Sequence, residues 1–208
     1  MNHVALLGDS IFDNGVYVAP APAVSEQLRA RLGSDWTVSL VAVDGHVTRD
    51  VRDRQVARIP DGASHLVVSV GGNDALGHAS ILNEAAHSVA EAVGRLAEAQ
   101  TRFAQRYEEM VDGVLALNLP TAVCTIYDAN YPEPQRRLVV SALSLFNDVI
   151  TRVAFAHGLN VIDLRLICDE AADYANPIEP SAVGGEKIAR AIAELVRSPL
   201  GERSSVWT

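Results

Sequence analysis

Short apolar, β-branched runs alternate with amphipathic ones along the first third of the chain: HVALLG, VSEQLRARLG, TVSLVAV, the stretch around VRDRQVARI, and HLVVSVGG. That alternation predicts strand, helix, strand, helix, strand. Downstream the pattern predicts a long helix ending near Leu117, a strand from Thr121 to Ile126, a helix through SALSLFNDVITRVAFAHG, a strand in LNVIDL, and a last helix from Gly185 to about Val196. Five strands, apolar throughout and joined by helices, imply a parallel sheet covered on both faces, a three-layer α/β fold. Gly33 after RARL and Gly158 after AFAH stand where helix C-terminal caps are expected, and Pro120 ends the long helix before its strand.

Within that long helix Phe103, Tyr107, Met110, Val111, Val114 and Leu115 recur at three- and four-residue spacing, with charges between them, which is a core-facing stripe. The alanine-rich stretch before it, Ile81 to Gln100, either extends the helix or folds over the strand ends as a cap, with Gly94 the expected break. The tail SPLGERSSVWT has no periodicity, so 197–208 is expected to be irregular, with Val206 and Trp207 mobile.

A chain of 208 residues is long enough to make one domain, 1–208, with a substantial core and a pocket. With 49% hydrophobic and 21% charged residues it has the balance of a soluble globular protein. A net charge of −9 without a Lys/Arg run disfavours nucleic acid and anionic membrane as partners, because both require a basic surface. No secretory signal opens the chain, and its apolar stretches read as too short for membrane insertion. Cys124 and Cys168 share no redox or metal spacing, and a reducing, cytoplasmic location follows as the expectation. Cys124, inside TAVCTI, reads as core, whereas the polar neighbourhood of Cys168 leaves its role open. No zinc spacing or phosphate-cradling glycine loop appears, so no cofactor is expected.

In an open parallel sheet the ligand crevice lies beyond the carboxyl ends of the strands. Those ends carry Gly8-Asp9-Ser10, Asp44-Gly45-His46, Gly71-Gly72-Asn73-Asp74 and Tyr127-Asp128-Ala129-Asn130. Each alone is ordinary turn composition. Together they offer a hydroxyl, backbone N–H donors and a side-chain amide at one crevice, the set that acyl transfer needs for attack and for the oxyanion. Asp9 and Asp13 flank Ser10 as structural support near a helix start, and Asp74 is placed to brace the loop after Asn73. Asp163, ending the LNVIDL strand, is placed to fix the loop that carries Asn176 and Glu179. Loops 11 to 23, 74 to 84 and 127 to 136 would form the walls, with the proline-rich VAPAPAV and YPEP at the rim.

GDSIFDNG, the Gly45 turn and VSVGGND resemble three of the four sequence blocks of the SGNH (GDSL-type) hydrolases, in the family's order. The resemblance implies a flavodoxin-like sheet of five parallel strands in the order 2-1-3-4-5, Ser10 as nucleophile, and an oxyanion hole from the Ser10 and Gly45 N–H groups and the Asn73 side chain. It implies small-molecule ester substrates, with carboxylic esters, thioesters and acetylated sugars all within the family's range. The fourth block departs: where the family has Asp-x-x-His, this chain has Asn176-Pro177-Ile178-Glu179.

Three readings follow. Glu179 replaces the histidine as base, with its intrinsic weakness, roughly 3 kcal/mol against imidazole, recovered by burial, and with the Asn176 amide donating to it where an Asp would repel. Alternatively His46 or His78, near the crevice, serves as base; or the pocket binds a ligand and performs no chemistry. Asp9, His46 and Asp74 are further candidates for contact with substrate.

Overall fold

The computed structural model describes residues 2–198 and 204–208. In chain order the regular elements are β1 (Asn2–Gly8), α1 (Gly15–Val18), α2 (Val24–Leu32), β2 (Trp36–Leu40), α3 (Thr48–Asp50), β3 (His65–Ser69), α4 (Gly72–Leu76) and α5 (Val89–Leu115). They continue with β4 (Thr121–Cys124), α6 (Gln135–Ala156), β5 (Asn160–Ile162), α7 (Leu164–Ile167), β6 (Tyr174–Asn176), β7 (Glu179–Pro180), α8 (Ala182–Arg197) and β8 (Val206–Trp207). The main sheet is parallel throughout, in the order β2-β1-β3-β4-β5-β8. The expected order of five strands is present, with a sixth added at the β5 edge.

Because side chains alternate across a strand, β1 feeds both faces of the sheet. Val4 and Leu6 join α2 and α8 in one core cluster; Ala5 and Leu7 join α5 and α6 in the other. The stripe from Phe103 to Val114 is buried as its spacing requires. Strand β1 is central, so Gly8 at its end meets a crowded neighbour. A Cβ there would lie 1.8 Å from the Ser69 carbonyl oxygen, and glycine is the residue that lets the two backbones approach.

Several expectations need correction. Gly94 does not break the long helix: α5 runs unbroken through it from its Ser88 cap, whose side chain accepts the Glu91 N–H, and the roughly 1 kcal/mol cost of one glycine is absorbed by the packing of its apolar face. The short 3-10 turn Ala79–Asn83 lines the cavity beyond the strand ends, as do Leu96 and Ala99 from α5. The tail is not wholly irregular: Val206 and Trp207 pair with Val161 and Ile162, and Trp207 packs on the α2/α8 core; residues 199–203 of that tail lie outside the described residues. Cys168 is buried among apolar side chains, despite its polar sequence neighbours. α6, with mean hydropathy 1.6 over its most apolar window, is long and apolar enough to cross a membrane by length and composition; here Phe146, Ile150 and Val153 pack into the α5/α6 core.

Candidate active site

The loops after β1, β2 and β3 and strand β7 converge at the carboxyl edge of the sheet, where the crevice was expected. Ser10 Oγ donates a hydrogen bond of 3.1 Å to Glu179 Oε1, across 169 residues of sequence. Both residues are buried, and Glu179 Oε2 has no hydrogen-bond partner among the described residues. Burial pushes the Glu179 carboxyl up to about 7; the Ser10 hydrogen bond opposes the shift and the charge of Asp44 adds to it.

The groups expected to act as oxyanion donors, the Ser10 and Gly45 N–H and the Asn73 amide, lie on three segments beyond the strand ends. The N–H groups of Ser10 and Gly45 are given to no protein acceptor among the described residues. Gly45 has φ 79°, left-handed backbone that an L side chain adopts only with strain, although the space for a side chain is open. Its glycine is therefore required by backbone and not by crowding. Asn73 Nδ2 donates one of its two hydrogens to the His46 carbonyl at 3.0 Å, which aims the amide and leaves the other hydrogen free.

Supporting bonds tie these loops together. Asp13 Oδ2 accepts the Asp44 N–H at 3.0 Å, bracing the Gly45 turn from the Ser10 loop. The Asp74 carboxylate accepts both the N–H and the hydroxyl of Thr48, at 3.0 and 2.8 Å, so it clamps the start of α3, which follows the same turn. Burial raises the Asp74 carboxyl, with the Thr48 bonds opposing it. Asp9 lines the cavity beside Ser10 with Oδ1 accepting the Ile11 N–H at 3.1 Å. Its complete burial pushes the carboxyl up to about 8 against that bond, and the charge of Glu179 adds to the shift.

Asn176 does not donate to Glu179. Its Oδ1 accepts the Ile178 N–H at 2.9 Å, closing the turn of the β6/β7 hairpin in which Asn176 and Glu179 are paired. Neither alternative histidine hydrogen-bonds to Ser10. His46 Nδ1 receives the Gln55 amide at 2.8 Å, and His78 sits on the cavity wall with its ring 6.3 Å from that of Phe146. Asp163 is held by Arg165 and Thr125 and does not fix the Asn176–Glu179 loop.

Three residues have supporting roles that the sequence reading did not give them. Gln55 is completely buried and bonds three ways: its Oε1 accepts the Gly8 N–H at 2.8 Å, and its Nε2 donates to the Gly8 carbonyl at 2.7 Å and to His46. The two Gly8 bonds fix which end of the amide is nitrogen, so His46 Nδ1 is the acceptor and the neutral ring carries its proton on Nε2. Asn14, also fully buried, accepts the Val24 N–H and donates to the Pro180 carbonyl at 3.3 Å. Tyr127 donates to the Ile178 carbonyl at 2.6 Å. Asn14 and Tyr127 thus grip the two residues on either side of Glu179. Gln55 left one signal, a polar residue four positions from Val51 and Ile59 on an apolar stripe; Asn14, in GDSIFDNG, and Tyr127, at a strand end, were legible as parts of the crevice loops, but their bonds to the residues flanking Glu179 were not.

A cavity of about 500 Å3 opens from Ser10, Asn73 and Glu179 toward α5 and α6. Among the described residues one other group brings potential metal ligands together, Glu108, Asp112 and His157, and it lies outside this cavity with its acids accessible.

The GDSL-like lipase/acylhydrolase family matches the chain over residues 6–186, and the chain belongs to that family. No curated protein matches it by sequence. Among solved structures it is similar to phospholipase A1 from Streptomyces albidoflavus NA297, at 19% identity and TM-score 0.68, with 95% of this chain and 99% of that one covered. The native aryl esterase of M. smegmatis is 15% identical with TM-score 0.66, covering 96% of this chain and 100% of that one. A carbohydrate acetylesterase from Sinorhizobium meliloti is 13% identical with TM-score 0.64, covering 94% and 98%. At such identities the likeness is one of fold.

Proposed function

We propose that this protein is a serine ester hydrolase in which Glu179 takes the place of the histidine base. The observation that carries the reading is the 3.1 Å bond from Ser10 Oγ to Glu179 Oε1 in a buried setting. Membership of a lipase/acylhydrolase family and structural neighbours that are a phospholipase and two esterases support the same reaction class.

In the first half-reaction Ser10 Oγ attacks the ester carbonyl carbon while its proton passes to Glu179 Oε1. The negative oxygen that develops is met by the Ser10 and Gly45 N–H groups and by Asn73 Nδ2, a reading supported by the hydrogens these groups have to spare. Collapse of the tetrahedral intermediate breaks the carbon–oxygen bond, and the leaving alcohol takes the proton from Glu179. Water then repeats the sequence on the acyl-serine, with Glu179 as base, and releases the carboxylic acid. One ester and one water give one acid and one alcohol. No cofactor enters.

A base near the working pH is the most useful one, and burial has moved Glu179 there. A pocket that only bound ligand would have no use for a hydroxyl bonded to a poised carboxylate beside free backbone donors. The test is hydrolysis of p-nitrophenyl esters by purified protein: Ser10→Ala is expected to lose the activity, and an unchanged rate in that variant would remove Ser10 from the chemistry.

A further inference from the structure

The cavity beside Ser10 says more about the substrate than the reaction does. At about 500 Å3 it falls within the range of roughly 300–1,000 Å3 that encloses small ligands. An acetyl group would occupy a minor part of it. Its deep wall is made by Val70, Ala99 and Phe146, none more than 4% exposed. Apart from Gln135 at the start of α6, every residue that α5 and α6 contribute to the lining is apolar. The only charged side chains in the lining are Asp9 and Glu179, both at the Ser10 end.

At the mouth, Leu76, Leu82 and Leu138 are 46%, 39% and 58% exposed. A single exposed leucine needs no explanation. Three around one opening, continuous with a buried apolar wall, form the kind of surface that an apolar ligand covers. His78, Asn83, Tyr131 and Gln135 add polar groups to the rest of the lining, but the carboxyl groups lie at the Ser10 end and a continuous hydrocarbon surface runs along α5 and α6 from there to the three leucines.

Resting on the assignment of Ser10 as nucleophile, we propose that the substrates are esters of medium-chain fatty acids, with the acyl chain laid between α5 and α6 and the carbonyl at Ser10. Acetylated sugars are a poor match, because the α5/α6 wall offers a sugar almost no hydrogen-bond partner. Each methylene that moves from water into such a cavity is expected to raise kcat/KM about fourfold until the space is filled.

The test has a kinetic arm and a binding arm. In the first, kcat/KM is measured for p-nitrophenyl acetate, butanoate, hexanoate, octanoate and decanoate. A rise through octanoate supports the proposal; a flat profile, or one highest at acetate, overturns it. Ala142→Trp fills the cavity from its half-buried α6 wall and should lower the octanoate-to-acetate ratio at least about tenfold. Leu138→Trp, at the exposed rim, serves if the first variant does not fold. In the second arm, Ser10→Ala protein is titrated by calorimetry with octanamide and butanamide, neutral probes that undergo no reaction. Octanamide is expected to bind on the order of a hundredfold more tightly, and equal binding overturns the acyl assignment whatever the rates. If the wild type cleaves no ester, or Ser10→Ala keeps its rate, the nucleophile reading fails while the octanamide preference still establishes the acyl cavity.

Discussion

At Glu179 two opposed influences were foreseeable from sequence, burial raising the carboxyl and an amide donor lowering it. The amide is turned elsewhere, toward the Ile178 N–H, and burial prevails. Desolvation thereby gives a carboxylate the basicity that imidazole, near 6.5, has in water. Since the base must be ionised to accept the Ser10 proton, kcat/KM should be low below pH 6 and rise through a midpoint at about 7. Glu179→Gln should cost about 10²–10⁴-fold and abolish that limb; a limb that survives in the variant would show that another group titrates. The placement of Ser10, Gly45 and Asn73 beyond the strand ends was legible because each lies within about five residues of the end of an apolar strand, where position in the fold is a matter of counting residues. The direction of the Asn176 amide was not, since it depends on a side-chain rotation that no spacing records.

Among elements, the least regular segment does the most for the site. Val51–Gln55 is a wide π-type turn, and its last residue is the one that holds Gly8 and His46. Wide turns of this kind are frequent at functional sites. Gln55→Ala leaves the Gly8 N–H unpaired in the interior, while the Gly8 carbonyl keeps its bond from the Val43 N–H, and should cost about 1–3 kcal/mol; a melting temperature within a degree of wild type would contradict that. Loss of its grip on the Ser10 loop should also lower kcat more than it raises KM. Helices and strands could be read from periodicity, while this support could not, because Gln55 reaches Gly8 across 47 residues. β8 was missed for a related reason. Two residues cannot display a period, and what fixes them is the exposed edge of β5, where Val161 and Asp163 donate to the Ser205 and Trp207 carbonyls. Trp207→Ala removes packing on the α2/α8 core and should cost about 1–3 kcal/mol, measured by denaturant unfolding.

For the molecule as a whole, the site is a pocket of negative charge in a chain already at −9. Asp9, Asp44, Asp74 and Glu179 act on one another there. A carboxyl raised on folding holds its proton longer in the native state, so its contribution to stability is complete below the unfolded value and is lost as pH rises through the folded one. For Asp9 that window runs from 3.8 to about 8. Stability should therefore fall between those limits, and Asp9→Asn, which keeps an acceptor for the Ile11 N–H, should flatten the decline. A single raised pKa unit corresponds to ~1.4 kcal/mol, large enough to read in melting curves at mildly acid and mildly alkaline pH. Curves for the variant that parallel wild type would show that Asp9 is already ionised in the native protein.

The bond between Ser10 and Glu179 also sets a clock. A chain made at about 5–20 residues per second presents Ser10 first and waits through another 169 residues for the base proposed for it, roughly ten to thirty seconds. During that interval the emerging protein holds a serine, its turn and then its amide donor, but nothing to take the proton. On the proposed roles, ester hydrolysis should begin only once residue 179 has been added and has folded against Ser10.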